Sequence, residues 1–204
     1  VATRWAANGT YNVEQAKLLY ALLCTLRGTI FVFQGEELGL ENAVLSEEDI
    51  CDPLGKILFP EYVGRDGSRT PIPWEHDKEH AGFSKVKPWL PVYENHIPLS
   101  VDLQDKDPNS PLNFVRNFLK WRKTVPELLT DAIQMHSSHE PVLIITRGDN
   151  IMCYFNLGPD DALLPIPYGD WEPIEGHGFA HSINENSLTL PGFNAAYFRI
   201  KKAT

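Results

Sequence analysis

Two arginines, Arg65 and Arg69, stand four positions apart in "GRDGSRTPIPW", residues 64–74, a stretch whose glycines and prolines keep it from becoming a helix. A guanidinium is planar, permanently charged and forked, so it can hold a carboxylate on one edge and another oxygen on a second. Two such forks in a fixed loop serve either a structural ion pair or a ligand, and residue type alone leaves both open. A second pair of charged residues, Glu36 and Glu37 in "QGEELG", directly follows the apolar run "IFVF" at residues 30–33. Carboxylates at such a point are costly unless the run opens into a solvated cleft or the acids meet a cation. Pairing with nearby arginines and contact with a substrate are the two readings of these glutamates.

The elements around these residues suggest how they are held. From Asn12 to Arg27, Val13, Ala16, Leu19, Leu22, Leu23 and Leu26 recur at helical spacing, and Gly28 ends the pattern. "IFVF" then reads as a short strand of a parallel sheet covered on both faces, and the ends of such strands are where ligands bind. Residues 41–104 have little periodicity but much Pro, Gly, Trp and His; Phe59, Tyr62, Trp74, Phe83, Trp89 and Tyr93 argue for a packed excursion. Ser110 as N-cap and Pro111 at the first helical position open a second amphipathic helix, with Leu112, Phe114, Val115, Phe118, Leu119 and Trp121 on its apolar side. Beyond about Leu129 the runs "VLIIT", "IMCYFNL", "SLTL" and "AAYFRI" predict a small all-β domain. Arg147-Gly148-Asp149 has the form of an adhesion tripeptide, but a polar turn between two strands is the preferred reading.

Bulk properties exclude several classes. A net charge of -9, with 18 Lys and Arg that form no run, speaks against nucleic acid. No apolar stretch reaches the roughly 20 residues of a spanning helix, so no membrane partner is expected. Three widely spaced cysteines, Cys24, Cys51 and Cys153, make a disulfide framework improbable, and seven scattered histidines offer no zinc spacing. Asp105, Asp107 and Asn109 resemble the start of a calcium loop, but Ser110 and Arg116 replace its glycine and its final glutamate. Neither a metal nor a cofactor is expected. Asn8-Gly9-Thr10 fits a glycosylation acceptor, which matters only in a secreted protein.

Taken in order, "TRW", "LLCTLRGTIFVFQGEELGL", "DPLGKILFPEYVGRDGSRTPIPW", "GFS", "PWLPV", "DPNSPLNFVRNFLKWRK", "PEL" and "LPGFNAAYFRI" resemble the C-terminal part of α-glucosidases and oligo-1,6-glucosidases of the α-amylase superfamily. The resemblance implies an α/β plus all-β architecture: the last part of a (β/α)8 TIM barrel over residues 1–129, then a small antiparallel β-sandwich domain over 130–204. "IFVF" would be the eighth strand, the helices at Asn12 and Ser110 the seventh and eighth, and the excursion the long loop after the last strand. Such enzymes retain configuration by means of a nucleophilic aspartate, an acid/base glutamate and a third carboxylate. The resemblance puts all three before Val1, so the chain is expected to contain no catalytic residue and to be inactive alone, completed by an N-terminal barrel segment.

The resemblance also implies that Arg65 pairs with an aspartate of the N-terminal barrel, outside this chain, and donates to the 4-hydroxyl of a terminal glucose. Arg69 would be a more peripheral substrate contact, and Glu37 is the third candidate. The implied partners are α-glucosides such as maltose, isomaltose and sucrose-like substrates, acted on from chain ends with hydrolysis or transfer; a cytoplasmic location goes with this reading. Sucrose isomerase or trehalulose synthase is the enzymatic alternative. A glucosidase-like, non-catalytic ectodomain of an amino-acid transporter heavy chain is the alternative of another class.

Overall fold

The computed structural model describes residues 12–130, 132–166, 169–185 and 187–201. The "TRW" and Asn8-Gly9-Thr10 readings lie outside them. The helices are α1 (Val13–Thr25), α2 (Pro53–Leu58), α3 (Val101–Gln104) and α4 (Pro111–Arg122) among the described residues. The strands are β1 (Ile133–His136), β2 (Val142–Arg147), β3 (Ile151–Asn156), β4 (Ala162–Pro165), β5 (Trp171–Pro173), β6 (Ser182–Asn184), β7 (Ser187–Leu190) and β8 (Ala195–Ile200). Both long helices start on side-chain caps, Ser110 as expected: Asn12 Oδ1 accepts the Glu14 N–H at 2.8 Å, and Ser110 Oγ accepts the Asn113 N–H at 3.2 Å.

The chain divides into two compact units, one built from 12–16 and 32–113, the other from 17–31 and 114–201. In the second unit an antiparallel sheet of order β1-β2-β3-β8-β5 accompanies a smaller sheet, β4-β7-β6. Strand register explains how one sheet serves two cores. Ile145, Cys153 and Tyr197 are cross-strand partners in one row, while Ile144, Tyr154 and Ala196 form the next. Alternation sends these rows to opposite faces. The first row packs with Leu18, Tyr20, Ala21 and Cys24 of α1 and Phe114, Phe118 and Trp121 of α4. The second packs with Leu188 and Leu190 of β7.

The Arg147-Gly148-Asp149 stretch is the β2–β3 turn that the sequence suggested, with Gly148 at φ 57°. Arg147 itself is fully buried. Its guanidinium donates to the carbonyls of Ala132, Thr25 and Thr130, a use that excludes display to a partner. Cys24 of α1 is fully buried in the core.

Two features differ from the sequence reading within this chain. Residues 30–33 carry no strand ladder here, and Phe31 is 83% exposed. A parallel strand exists only through ladders to neighbouring strands, and among the described residues every strand pairing is antiparallel and none involves this run. Of the excursion's aromatics, Tyr62, Trp74, Phe83 and Trp89 are exposed, whereas Phe59 and Tyr93 are half-buried and Tyr93 packs edge-on against His96. Polar groups also hold it. Gln104 is buried, donates from Nε2 to the carbonyls of Leu38 (2.9 Å) and Leu99 (2.8 Å), and accepts the Leu112 N–H at 3.0 Å. A small apolar group, Leu38, Leu40 and Leu112 with Ile72, Leu99 and Val101, packs in the same unit. No helix among the described residues is long and apolar enough to cross a membrane.

Candidate functional site

The loop that carries the two arginines is a short 3₁₀ turn, Asp66–Ser68, flanked by Arg65 and Arg69. The Arg69 N–H closes it on the Asp66 carbonyl at 2.8 Å, and Ser68 gives both its N–H (3.2 Å) and its hydroxyl (2.9 Å) to the Arg65 carbonyl. One tight turn between them brings both guanidinium groups to the same carboxylate. Arg65 Nε lies 3.4 Å from Asp52 Oδ2, and Arg69 Nη1 lies 3.9 Å from the same oxygen. Arg69 Nη1 is also 3.7 Å from Asp66 Oδ1.

Asp52 is the N-cap of α2, followed by Pro53 at the first helical position. Its Oδ1 accepts the N–H groups of Leu54 (3.1 Å) and Gly55 (3.4 Å). Burial works against the charge of this carboxylate, but the hydrogen bonds from Gly55, Arg65 and Leu54 outweigh it and hold the group below the usual carboxylate range. Asp66, 1% exposed, returns the connection: its Oδ2 accepts the N–H groups of Cys51 at 2.7 Å and Asp52 at 2.6 Å. The close approach needs glycine. Gly64 sits at φ +74°, and a Cβ there would come within 2.7 Å of the Asp52 Cβ.

The arginine loop is tied to the segment just after residues 30–33. Gln34 Nε2 donates to the Thr70 carbonyl at 3.3 Å. The Thr70 hydroxyl reaches His96 Nδ1 at 3.5 Å, and His96 Nε2 donates to the Glu41 carbonyl at 2.9 Å. Burial lowers the His96 pKa, so the ring is a neutral spacer between those two chain segments. Glu36 is used within its own turn, where Oε2 accepts the Phe33 N–H at 3.0 Å. Glu37 is half-buried in the same turn. The carboxylates that meet Arg65 and Arg69 are therefore Asp52 and Asp66, rather than the glutamates considered from the sequence.

Arg65 and Arg69 come together, and Glu37 stays on the neighbouring turn. The Arg65 side chain is 65% exposed and Arg69 36%. Among the described residues the two terminal nitrogens of Arg65 have no hydrogen-bond partner. That guanidinium is fixed through its inner nitrogen and open at its fork, an arrangement suited to donating to oxygens of a ligand. A groove of about 740 Å³ in this unit, walled in part by Lys78, His80, Lys85 and Lys87, includes none of the three candidates. No group of three or more His, Cys, Asp or Glu among the described residues is arranged to hold a metal.

Asp52 is the site residue that sequence reasoning missed. The available signal was Asp-Pro, an N-cap with proline at the next position, which marks a helix start in the middle of an aperiodic stretch.

The alpha amylase catalytic-domain family matches residues 1–131, and the chain belongs to that family. It is 40% identical over 201 residues to a probable alpha-glucosidase of Rhizobium meliloti (strain 1021), covering 97% of this chain and 36% of that protein. Among solved structures, an alpha-glucosyl transfer enzyme, XgtA, superposes with a TM-score of 0.91 at 39% identity, covering 98% of this chain and 38% of the other. The trehalulose synthase MutB from Pseudomonas mesoacidophila MX-45 superposes at 0.79 with 28% identity, over 92% of this chain and 38% of that one. The chain thus spans 36% to 38% of the length of these relatives.

Proposed function

We propose that this chain is the C-terminal part of an exo-acting, retaining α-glucosidase that hydrolyses, and can transfer, terminal α-linked glucose. Residues 1–129 would complete a (β/α)8 barrel and 130–204 would form its β domain. The carrying observation is Arg65, held at Nε by the buried Asp52 and open at its fork. Such a fork can donate to a sugar hydroxyl, and closing a pocket at the 4-hydroxyl would select the non-reducing end of a chain. Arg69 would contribute from further out, and Glu37 from the adjoining turn. The probable alpha-glucosidase and the glucosyl transfer enzyme among the relatives support this reading.

Retaining chemistry requires a carboxylate nucleophile and a carboxylic acid about 5 Å apart. In this proposal both, and the third carboxylate, come from barrel residues outside this 204-residue chain. The chain alone should then give no turnover of p-nitrophenyl α-glucoside, maltose or sucrose, and specific turnover above background would refute that. The full-length enzyme should release glucose from maltose and isomaltose, and glucose with fructose from sucrose. Linked disaccharide isomers from sucrose would instead favour the isomerase reading, for which the likeness to trehalulose synthase is the supporting observation.

A further inference from the structure

The two carboxylates beside the arginines have different surroundings. Asp66 is taken up by the backbone: one oxygen holds two consecutive N–H groups, at Cys51 and Asp52, and leaves only a 3.7 Å approach to Arg69 for the other. Asp52 is divided. Its Oδ1 caps α2, while its Oδ2 faces Arg65 Nε and Arg69 Nη1. Capping alone would be served as well by Asn or Ser, which accept the same N–H groups without a charge. A negative charge is needed only for the guanidinium side. The Asp52 side chain is also 5% exposed against 65% for Arg65, so the acid is the fixed member of the pair.

We propose that Asp52 is a positioning residue for sugar recognition: by gripping the inner nitrogen of Arg65 it aims the outer fork at the terminal glucose, and it does so without touching the sugar. This role rests on the reading of Arg65 as the donor to the 4-hydroxyl. Three features make Asp52 a rigid reference. Its carboxylate is anchored by the first turn of α2, its own N–H is anchored by Asp66, and Gly64 lets the chain carrying Arg65 pass against it with no Cβ between them. Gly55 permits a second close approach, since a Cβ there would lie 2.8 Å from the Val63 carbonyl oxygen. The N-terminus of α2 and the start of the arginine loop are therefore a single fitted pair. The side chains that meet the sugar need not be those that determine where the sugar is met.

The test uses the full-length enzyme and the variants Asp52→Asn, Arg65→Ala and the double variant. Each is assayed on maltose and on its analogue lacking the 4-hydroxyl of the non-reducing glucose. Asparagine retains the cap, so Asp52→Asn should remain folded at the assay temperature, checked by its melting curve; should it fail to fold, Asp52→Ser takes its place. Loss of a charge-assisted guanidinium contact should lower kcat/KM on maltose about 10-fold. Activity on the deoxy analogue should change much less, so discrimination for the 4-hydroxyl falls. In the Arg65→Ala background the same change should have almost no further effect. If Asp52→Asn lowers maltose and analogue rates alike, or costs as much without Arg65 as with it, Asp52 acts through the fold and the proposal is overturned. If Asp52→Asn leaves kinetics unchanged while Arg65→Ala abolishes discrimination, the positioning role fails and the reading of Arg65 stands. If Arg65→Ala leaves discrimination intact, that reading fails, and the positioning role fails with it.

Discussion

The two units are held together by different means. In the β unit, fully buried side chains are mostly apolar: Ile145, Ile151, Phe155, Tyr197 and Phe198 line the sheets, with Leu18 and Phe118 from the helices. In the loop unit, Asp52, Asp66, Thr70, His96, Ser100, Gln104 and Ser110 are buried alongside aliphatic residues such as Leu38, Ile50, Leu90 and Leu112, without a buried aromatic cluster like that of the β unit. Apolar packing is non-directional and tolerates approximate shapes, whereas a buried polar group fixes an angle and is costly when its partner is lost. The second kind of order suits the role proposed for this segment, aiming a guanidinium to within a fraction of an ångström.

This contrast can be broken by substitution. The largest expected effect is in the β unit: Phe155→Ala should cost about 3–5 kcal/mol through lost burial and a cavity, seen as a general loss of protection from hydrogen exchange across its strands. A local loss confined to β3 would mean that the unit is less cooperative than its core suggests. Next is a polar exception in the same unit. His177 is buried, packed against Trp121, Tyr197 and His181, and its Nε2 has no partner among the described residues. Burial, with a smaller contribution from the charge of His181, lowers its pKa to about 4. The unfolded imidazole binds a proton near pH 6.5 and the folded one does not until about pH 4. Stability from this site is therefore complete above pH 6.5 and falls as pH drops toward 4, by about 3 kcal/mol in all. Urea titrations at pH 7 and 4.5 should differ accordingly, and His177→Phe should flatten the difference; an unchanged acid response would assign it elsewhere.

The smallest global effect belongs to the loop unit. Gln104→Ala should cost about 1–3 kcal/mol, since the Leu38 and Leu99 carbonyls and the Leu112 N–H lose their partner. Limited proteolysis should then cut residues 38–112 faster while the β unit stays protected. Equal acceleration in both units would erase the distinction drawn between them.

The same contrast explains what the sequence disclosed. Helical spacing, with Ser110 as a cap for the second helix, defined α1 and α4, and continuous apolar runs on either side of "RGDN" defined β2 and β3. Both signals are local. The run at 30–33 has no ladder in this chain because a strand depends on neighbours that its own residues do not encode. Arg65 and Arg69 could be read as candidates from their charge and their turn, but Asp52, 13 residues from Arg65, could not be matched to it, because no period links two points of an irregular chain. Gln104 was similarly hidden, being one polar residue among many until its three partners are seen.

The most direct test is a crystal structure of the full-length enzyme with glucose bound in its pocket. The expected result is Arg65 Nη within about 3 Å of the glucose 4-hydroxyl, with Nε still on Asp52. An Arg65 fork directed into solvent, with the 4-hydroxyl held by other groups, would contradict the assignment.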